Sequence, residues 1–359
     1  MQSKKYDFID FLRGLAILLV FINHIPRNED ILFSNLNFLQ SYFFKFGTFG
    51  VQLFYIVSAF TLLVSLNSYK EKNYLNFFIR RIFRVVPIFF LGVYFYSFHI
   101  SYGSTELKNV ILNLLFLNNL IPPSNDLIPG GATISTEMNF YLLLPLMFIF
   151  INSYKKTIYS IFITSVILLL VNLFFEQIYI DKEFGDANFY RTIFTQIFVF
   201  LLGFVAFYIN NKYLGENLNQ FKIKKIITKS IPIIILALLI LVIGRREIEY
   251  FYFRNLMLVS IFLFLLFNFV YIYSSYFLNN FIFIIVKNIG KVSFSMYVWH
   301  WFIVSKVWDY LFLPTGFFKG KMLLFIIISL LITYLFSLVS YQIEKFFINL
   351  GKKFTTQKN

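Results

Sequence analysis

Apolar residues in this chain run in long blocks instead of alternating with polar ones. Blocks of about 20 residues, enough to carry a helix across a bilayer, fall near 8–26, 49–67, 85–102, 132–152, 157–175, 190–210, 226–243, 255–273, 292–309 and 321–343. A membrane β-barrel would show two-residue alternation, which these blocks lack, so they predict helices. The segment 107–121 is shorter and is interrupted by Asn113, Asn118 and Asn119. The pattern predicts an all-α polytopic membrane protein of about ten transmembrane helices, with 107–121 as a re-entrant or interfacial piece. One transmembrane domain, 1–347, is followed by a short basic cytoplasmic tail, 348–359.

Composition agrees with a membrane environment. Apolar residues make up 59% of the chain, 52 of them Phe, and only 14% are charged, against about 25% in soluble domains. The net charge of +15 could suggest nucleic acid, but it also fits the Lys/Arg excess of cytoplasmic loops. With both termini inside, Lys70, Lys72, Arg80, Arg81 and Arg84 fall on the cytoplasmic side. Lys155, Lys156, Lys212, Lys222, Lys224, Lys225, Lys229, Lys287 and Lys291 join them there. The acidic loop 176–190 then falls outside. If 107–121 crossed the membrane, everything after it would invert. Arg245, Arg246 and Arg254 fit this scheme least well. The first apolar block holds Arg13 and has no small-residue cleavage site after it, so it is expected to remain as a span. Cysteine is absent, which excludes disulfides, thiolate zinc sites and a cysteinyl acyl intermediate. No metal site is expected.

Ionisable groups inside apolar spans are costly and mark candidate chemistry. They are Arg13 and His24 in the first span, Glu137 in the fourth and His300 in the ninth, with His99 near the outer end of the third. Arg13 and His24 are eleven positions apart, about three helical turns, so they share one face roughly 16 Å apart. Asp10 stands one turn before Arg13 and can pair with it. Glu137 follows Pro129-Gly130-Gly131 and sits at about the depth of His24. A carboxylate there needs a partner, and a nearby imidazole would form a general-base pair with it. Arg80, Arg81 and Arg84 cluster at the cytoplasmic end of the third span, where guanidinium forks suit phosphate. Each feature also has a structural reading: a snorkelling arginine, an interfacial or packing histidine, a neutral glutamic acid bonded between helices, or ordinary positive-inside charge.

Taken together and in order, these stretches resemble the acyltransferase-3 family of integral-membrane O-acyltransferases. Phe8-Ile9-Asp10-Phe11-Leu12-Arg13-Gly14-Leu15-Ala16 running on to Asn23-His24 resembles its arginine–ten–histidine signature. The run Gly50 to Phe60, with Gln52 and Ser58, is similar to its second-span motif, and Phe78 to Pro87 to its arginine motif. Pro129-Gly130-Gly131 with Ser135-Thr136-Glu137-Met138-Asn139-Phe140-Tyr141 resembles its glutamate motif. Ser293-Phe294-Ser295-Met296-Tyr297-Val298-Trp299-His300 resembles its late aromatic–histidine motif. The chain departs from the family in having Gln52 where Asp is frequent, Ala59 for Gly, Ala132 for Trp and Met138 for a second acid.

The resemblance implies an acyltransferase of the bacterial cytoplasmic (inner) membrane. Its donor would be acyl-CoA, usually acetyl-CoA, with no permanently bound cofactor. Its acceptor would be a carbohydrate hydroxyl on a surface polysaccharide or its lipid-linked precursor. On this reading His24 and Glu137 are catalytic, as a general base or a transient acyl carrier with its orienting carboxylate. Arg13, Arg80, Arg81 and Arg84 hold the donor, and Asp10, Tyr297 and His300 line the pocket. An exporter or flippase of a glycan precursor is the alternative, with the buried polar groups as its path. No internal repeat, the usual mark of a transporter, is visible in the sequence.

Overall fold

The computed structural model describes residues 7–25, 46–68, 74–100, 106–121, 126–178, 191–212, 252–277, 279–312 and 322–356. Within them the chain is helical. The helices are α1 (Asp7–His24), α2 (Gly50–Ser68, entered by a 3-10 turn at Gly47–Phe49), α3 (Tyr74–Phe95, ending in a π turn at Tyr96–Ile100) and α4 (Leu107–Leu114). They continue as α5 (Gly131–Phe150), α6 (Tyr154–Ile178), α7 (Ile193–Lys212), α8 (Tyr252–Phe277) and α9 (Phe281–Lys291). The last two are α10 (Ser293–Val307, ending in a π turn at Trp308–Phe312) and α11 (Met322–Thr356).

The expected span count is met in part. Among the described residues six helices are long and apolar enough to cross a membrane: α2, α5, α6, α7, α8 and α11. Taking α9 and α10 as one broken span makes seven. The expected span 226–243 and most of the loops 176–190 and 244–254 lie outside the described residues. The block expected at 292–309 is α10 with its π turn, and α9 meets it at 83° across Val292, just where the block begins. The sequence pattern hid this bend because both arms are apolar. The third helix begins at Tyr74, about three turns ahead of the apolar block at 85, so its arginines lie inside the helix and not at its end. The expected tail likewise continues α11 to Thr356.

α1 lies at the centre and packs against α2, α8, α9 and α10. Its buried residues, Phe8, Ile9, Leu12, Gly14, Ala16, Ile17, Val20, Phe21 and His24, point to more than one side. A helix enclosed by protein in this way can carry charge at membrane depth. Its tightest contact is with α9, where side-chain-free positions let two backbones touch. A Cβ at Gly290 would lie 1.6 Å from the Asp10 carbonyl oxygen, and one at Gly14 would lie 1.9 Å from that of Val286. Lys287 Nζ meets the Asp7 carboxylate at 3.1 Å beside the same crossing, and Phe11 stacks on Phe283 at 4.5 Å.

α4 is eight residues long, about 12 Å, well short of a crossing. Leu107, Ile111 and Leu115 face outward while Asn109 and Asn113 are buried. The asparagines that interrupt the apolar block are its anchors. Asn113 Oδ1 accepts from the Leu127 amide at 3.3 Å, and Asn119 Nδ2 donates to Thr136 Oγ1 at 2.6 Å. Asn118 Nδ2 donates to Asp126 at 2.7 Å and its Oδ1 accepts from Ser135 Oγ at 2.5 Å. These bonds tie the loop to the start of α5, the helix that carries Glu137.

Candidate active site

Two chemistries occupy the space around α1: imidazoles towards its C-terminal end, and guanidiniums with carboxylates towards its start. His24 is in the last turn of α1 and is buried. Its Nδ1 lies 2.8 Å from the Val20 carbonyl oxygen and 3.2 Å from Nε2 of His300 on α10. The two rings stand edge to face, with centroids 4.8 Å apart and an interplanar angle of 67°. His300 is fully buried, and its Nδ1 lies 2.8 Å from the Tyr297 carbonyl oxygen. The expected partner of His24 was Glu137, but the structure sets His300 against it.

Glu137 is bonded elsewhere. Its Oε1 accepts from Ser58 Oγ on α2 and from the Tyr141 hydroxyl one turn along α5, the latter at 2.5 Å. Tyr297 packs beside His300. Its ring centroid is 5.7 Å from that of His300, and its hydroxyl donates to the Gly130 carbonyl at 3.0 Å, within the field of Glu137. Gly130 has φ +82°, and a Cβ there would sit 2.6 Å from that hydroxyl, so this position needs glycine twice over. The same turn starts α5 and sets the direction in which Glu137 projects. Across it, the Tyr55 hydroxyl donates to the Thr133 carbonyl at 3.2 Å. In the loop ahead of α5, burial raises the Asp126 carboxyl above its ordinary range, while Arg191 3.5 Å away opposes the shift.

The arginines divide. Arg13, Arg81 and Arg84 lie close enough to act on one another electrostatically, and Glu137 acts on both Arg13 and Arg81. Arg13 Nη1 is 4.0 Å from Asp10 Oδ1. Arg81 lies over the rings of Phe77 and Tyr141, at 5.4 and 6.0 Å from their centroids, which fixes it by cation–π contact. Arg80 reaches away along α3 to Thr355 Oγ1 on α11, at 3.5 Å. It flanks the cluster of Arg13, Arg81 and Arg84 at the rim and acts electrostatically on Arg81.

Sequence reasoning missed three members of this centre. Ser58 and Tyr141 lay inside quoted motifs, and Tyr141 sits at the i+4 spacing from Glu137 that puts two side chains on one helix face. Glu344 is 3% exposed, accepts from Ser295 Oγ at 3.0 Å, and interacts electrostatically with Arg84 and Arg13. The last apolar block, 321–343, stops one residue short of Glu344 and so leaves it outside the expected span. Counting the helix as continuous would have exposed it as a buried carboxylate.

Fold and site together define a polytopic helical membrane protein with a buried centre of imidazoles, carboxylates and clustered arginines. The chain belongs to the acyltransferase-3 family, whose description is an acyltransferase domain, and the match covers residues 6–342. It is therefore an acyltransferase of the kind that moves groups other than amino-acyl groups. No curated protein and no solved structure matches the chain.

Proposed function

We propose that this acyltransferase moves an acetyl group from cytoplasmic acetyl-CoA to a hydroxyl of a surface polysaccharide or its lipid-linked precursor. The observation that carries the reading is the spatial division of the centre. Three guanidiniums gather on one side, suited to a polyanionic donor. The imidazoles occupy the other, suited to a neutral hydroxyl. Both termini would be cytoplasmic, in a bacterial inner membrane, so that the arginines face the compartment holding CoA.

In this mechanism Arg81 and Arg84, with Arg80 at the rim, hold the phosphates of CoA. The pantetheine arm follows the Arg13 face of α1 and brings its thioester to His24. As base, His24 takes the proton of the sugar hydroxyl while that oxygen attacks the thioester carbonyl. The C–S bond breaks, an ester forms, and the proton passes from His24 to the departing CoA thiolate. In the covalent version His24 attacks first and the hydroxyl then displaces it. Glu137, held by Ser58 and Tyr141, lies within electrostatic reach of Arg13 and Arg81 on the donor side.

Mass spectrometry of surface glycans from cells with and without the gene tests this directly. Glycan mass should fall by one acetyl group per modified unit in the deletion strain and return on complementation. An unchanged glycan spectrum would contradict the assignment.

A further inference from the structure

We infer that His300 is the positioning residue of His24. It accepts the Nδ1 proton and thereby leaves Nε2 of His24 as the basic or nucleophilic nitrogen. The inference rests on the proposed role of His24, and adds to it a partner and a specific atom.

Hydrogen-bond chemistry forces the tautomers. Nδ1 of His300 faces the carbonyl oxygen of Tyr297 at 2.8 Å, and a carbonyl only accepts, so this nitrogen carries the proton. In a neutral ring Nε2 is then bare and can only accept. Across 3.2 Å it faces Nδ1 of His24, which must supply the hydrogen. That nitrogen also faces the Val20 carbonyl at 2.8 Å, a second acceptor that demands the same proton. The result is a three-centre bond from His24 Nδ1–H to Val20 O and His300 Nε2, with the lone pair of His24 on Nε2.

The arrangement performs the task of the orienting carboxylate in a serine-hydrolase triad without placing an anion beside the base. When His24 takes up a proton it becomes an imidazolium, and its Nδ1–H bonds become charge-assisted and stronger. An interaction that strengthens only as charge develops favours the transition state over bound substrate. Loss of His300 should therefore act on kcat and spare KM for the donor. Its own position is secured by burial, by the Tyr297 carbonyl and by the packing of α10 on α1.

The chain has only three histidines, so protein labelled with 15N-histidine in detergent or nanodiscs gives three imidazoles to assign. The expected spectrum has His24 protonated on Nδ1, with a coupling across the hydrogen bond to Nε2 of His300. In His300→Phe, kcat for acetyl transfer should fall about tenfold or more, the scale typical of losing an orienting partner, with KM for acetyl-CoA changed less than about twofold. His300→Gln, whose amide oxygen can accept the same proton, should recover part of the loss. Absence of the coupling in the wild type, or wild-type kcat in folded His300→Phe, would overturn the inference. The spectrum of the wild type decides the tautomer even where the Phe variant fails to fold. Undiminished transfer by His24→Ala would instead remove the role of His24 itself, a result the coupling cannot mimic.

Discussion

At the scale of single residues, the apolar background made the chemistry visible, but not its pairing. Arg13, His24, Glu137 and His300 stood out because an ionisable group in a span is expensive. Helical periodicity then placed Arg13 and His24 on one face of α1. Which groups touch is decided by the packing of α10 and α5, which no local pattern records. The imidazole therefore turned out to face His300, and the carboxylate Ser58 and Tyr141. The arginine cluster can be tested at the same scale. Replacing both Arg81 and Arg84 by Gln should raise the apparent KM for acetyl-CoA tenfold or more, since each charge-assisted hydrogen bond contributes about 1.5–3 kcal/mol. Lys at both positions should recover only part, because it lacks the bidentate fork. Calorimetric titration with acetyl-CoA checks this, and equal affinity in wild type and double Gln variant would remove these arginines from the donor site.

At the scale of elements, six of the expected blocks emerged as helices of crossing length, because a continuous apolar run of that size has no other stable form in lipid. What the pattern could not show was where a helix continues past its apolar stretch. α3 starts early and α11 runs on for 35 residues, about 52 Å against a hydrocarbon core of about 30 Å. Nor did it show the bend between α9 and α10, whose geometry is set by the close seat of α9 on α1. That seat depends on Gly14 and Gly290. A methyl group at Gly290 would meet the Asp10 backbone oxygen, which cannot rotate away as a side chain could. Gly290→Ala should lower the thermal midpoint of the detergent-solubilised protein, at a cost of about 1–3 kcal/mol or more, the range of overpacked cores. Gly131→Ala is the control: its Cβ would find its nearest neighbour at 3.7 Å, so its midpoint should match the wild type. Equal midpoints for all three proteins would show that the α1–α9 contact is looser than described.

At the scale of the whole molecule, one arrangement ties fold to activity. α1 crosses the centre of the bundle with Arg13 towards its start and His24 at its end, and the helices around it bring up arginines on one side and imidazoles on the other. A protein of the acyltransferase-3 family built this way would take its donor from one face of the membrane and serve an acceptor nearer the other. Inverted membrane vesicles, whose cytoplasmic face is outward, test that claim most directly. Acetyl-CoA labelled in its acetyl carbons is added to the outside of vesicles containing wild-type protein or His24→Ala, and label is followed into alkali-labile ester on extracted glycan. Wild-type vesicles should accumulate labelled ester from donor added to this face alone, and His24→Ala vesicles with equal protein content should accumulate none above background. Equal labelling by the two proteins, or no ester with either, would contradict the account.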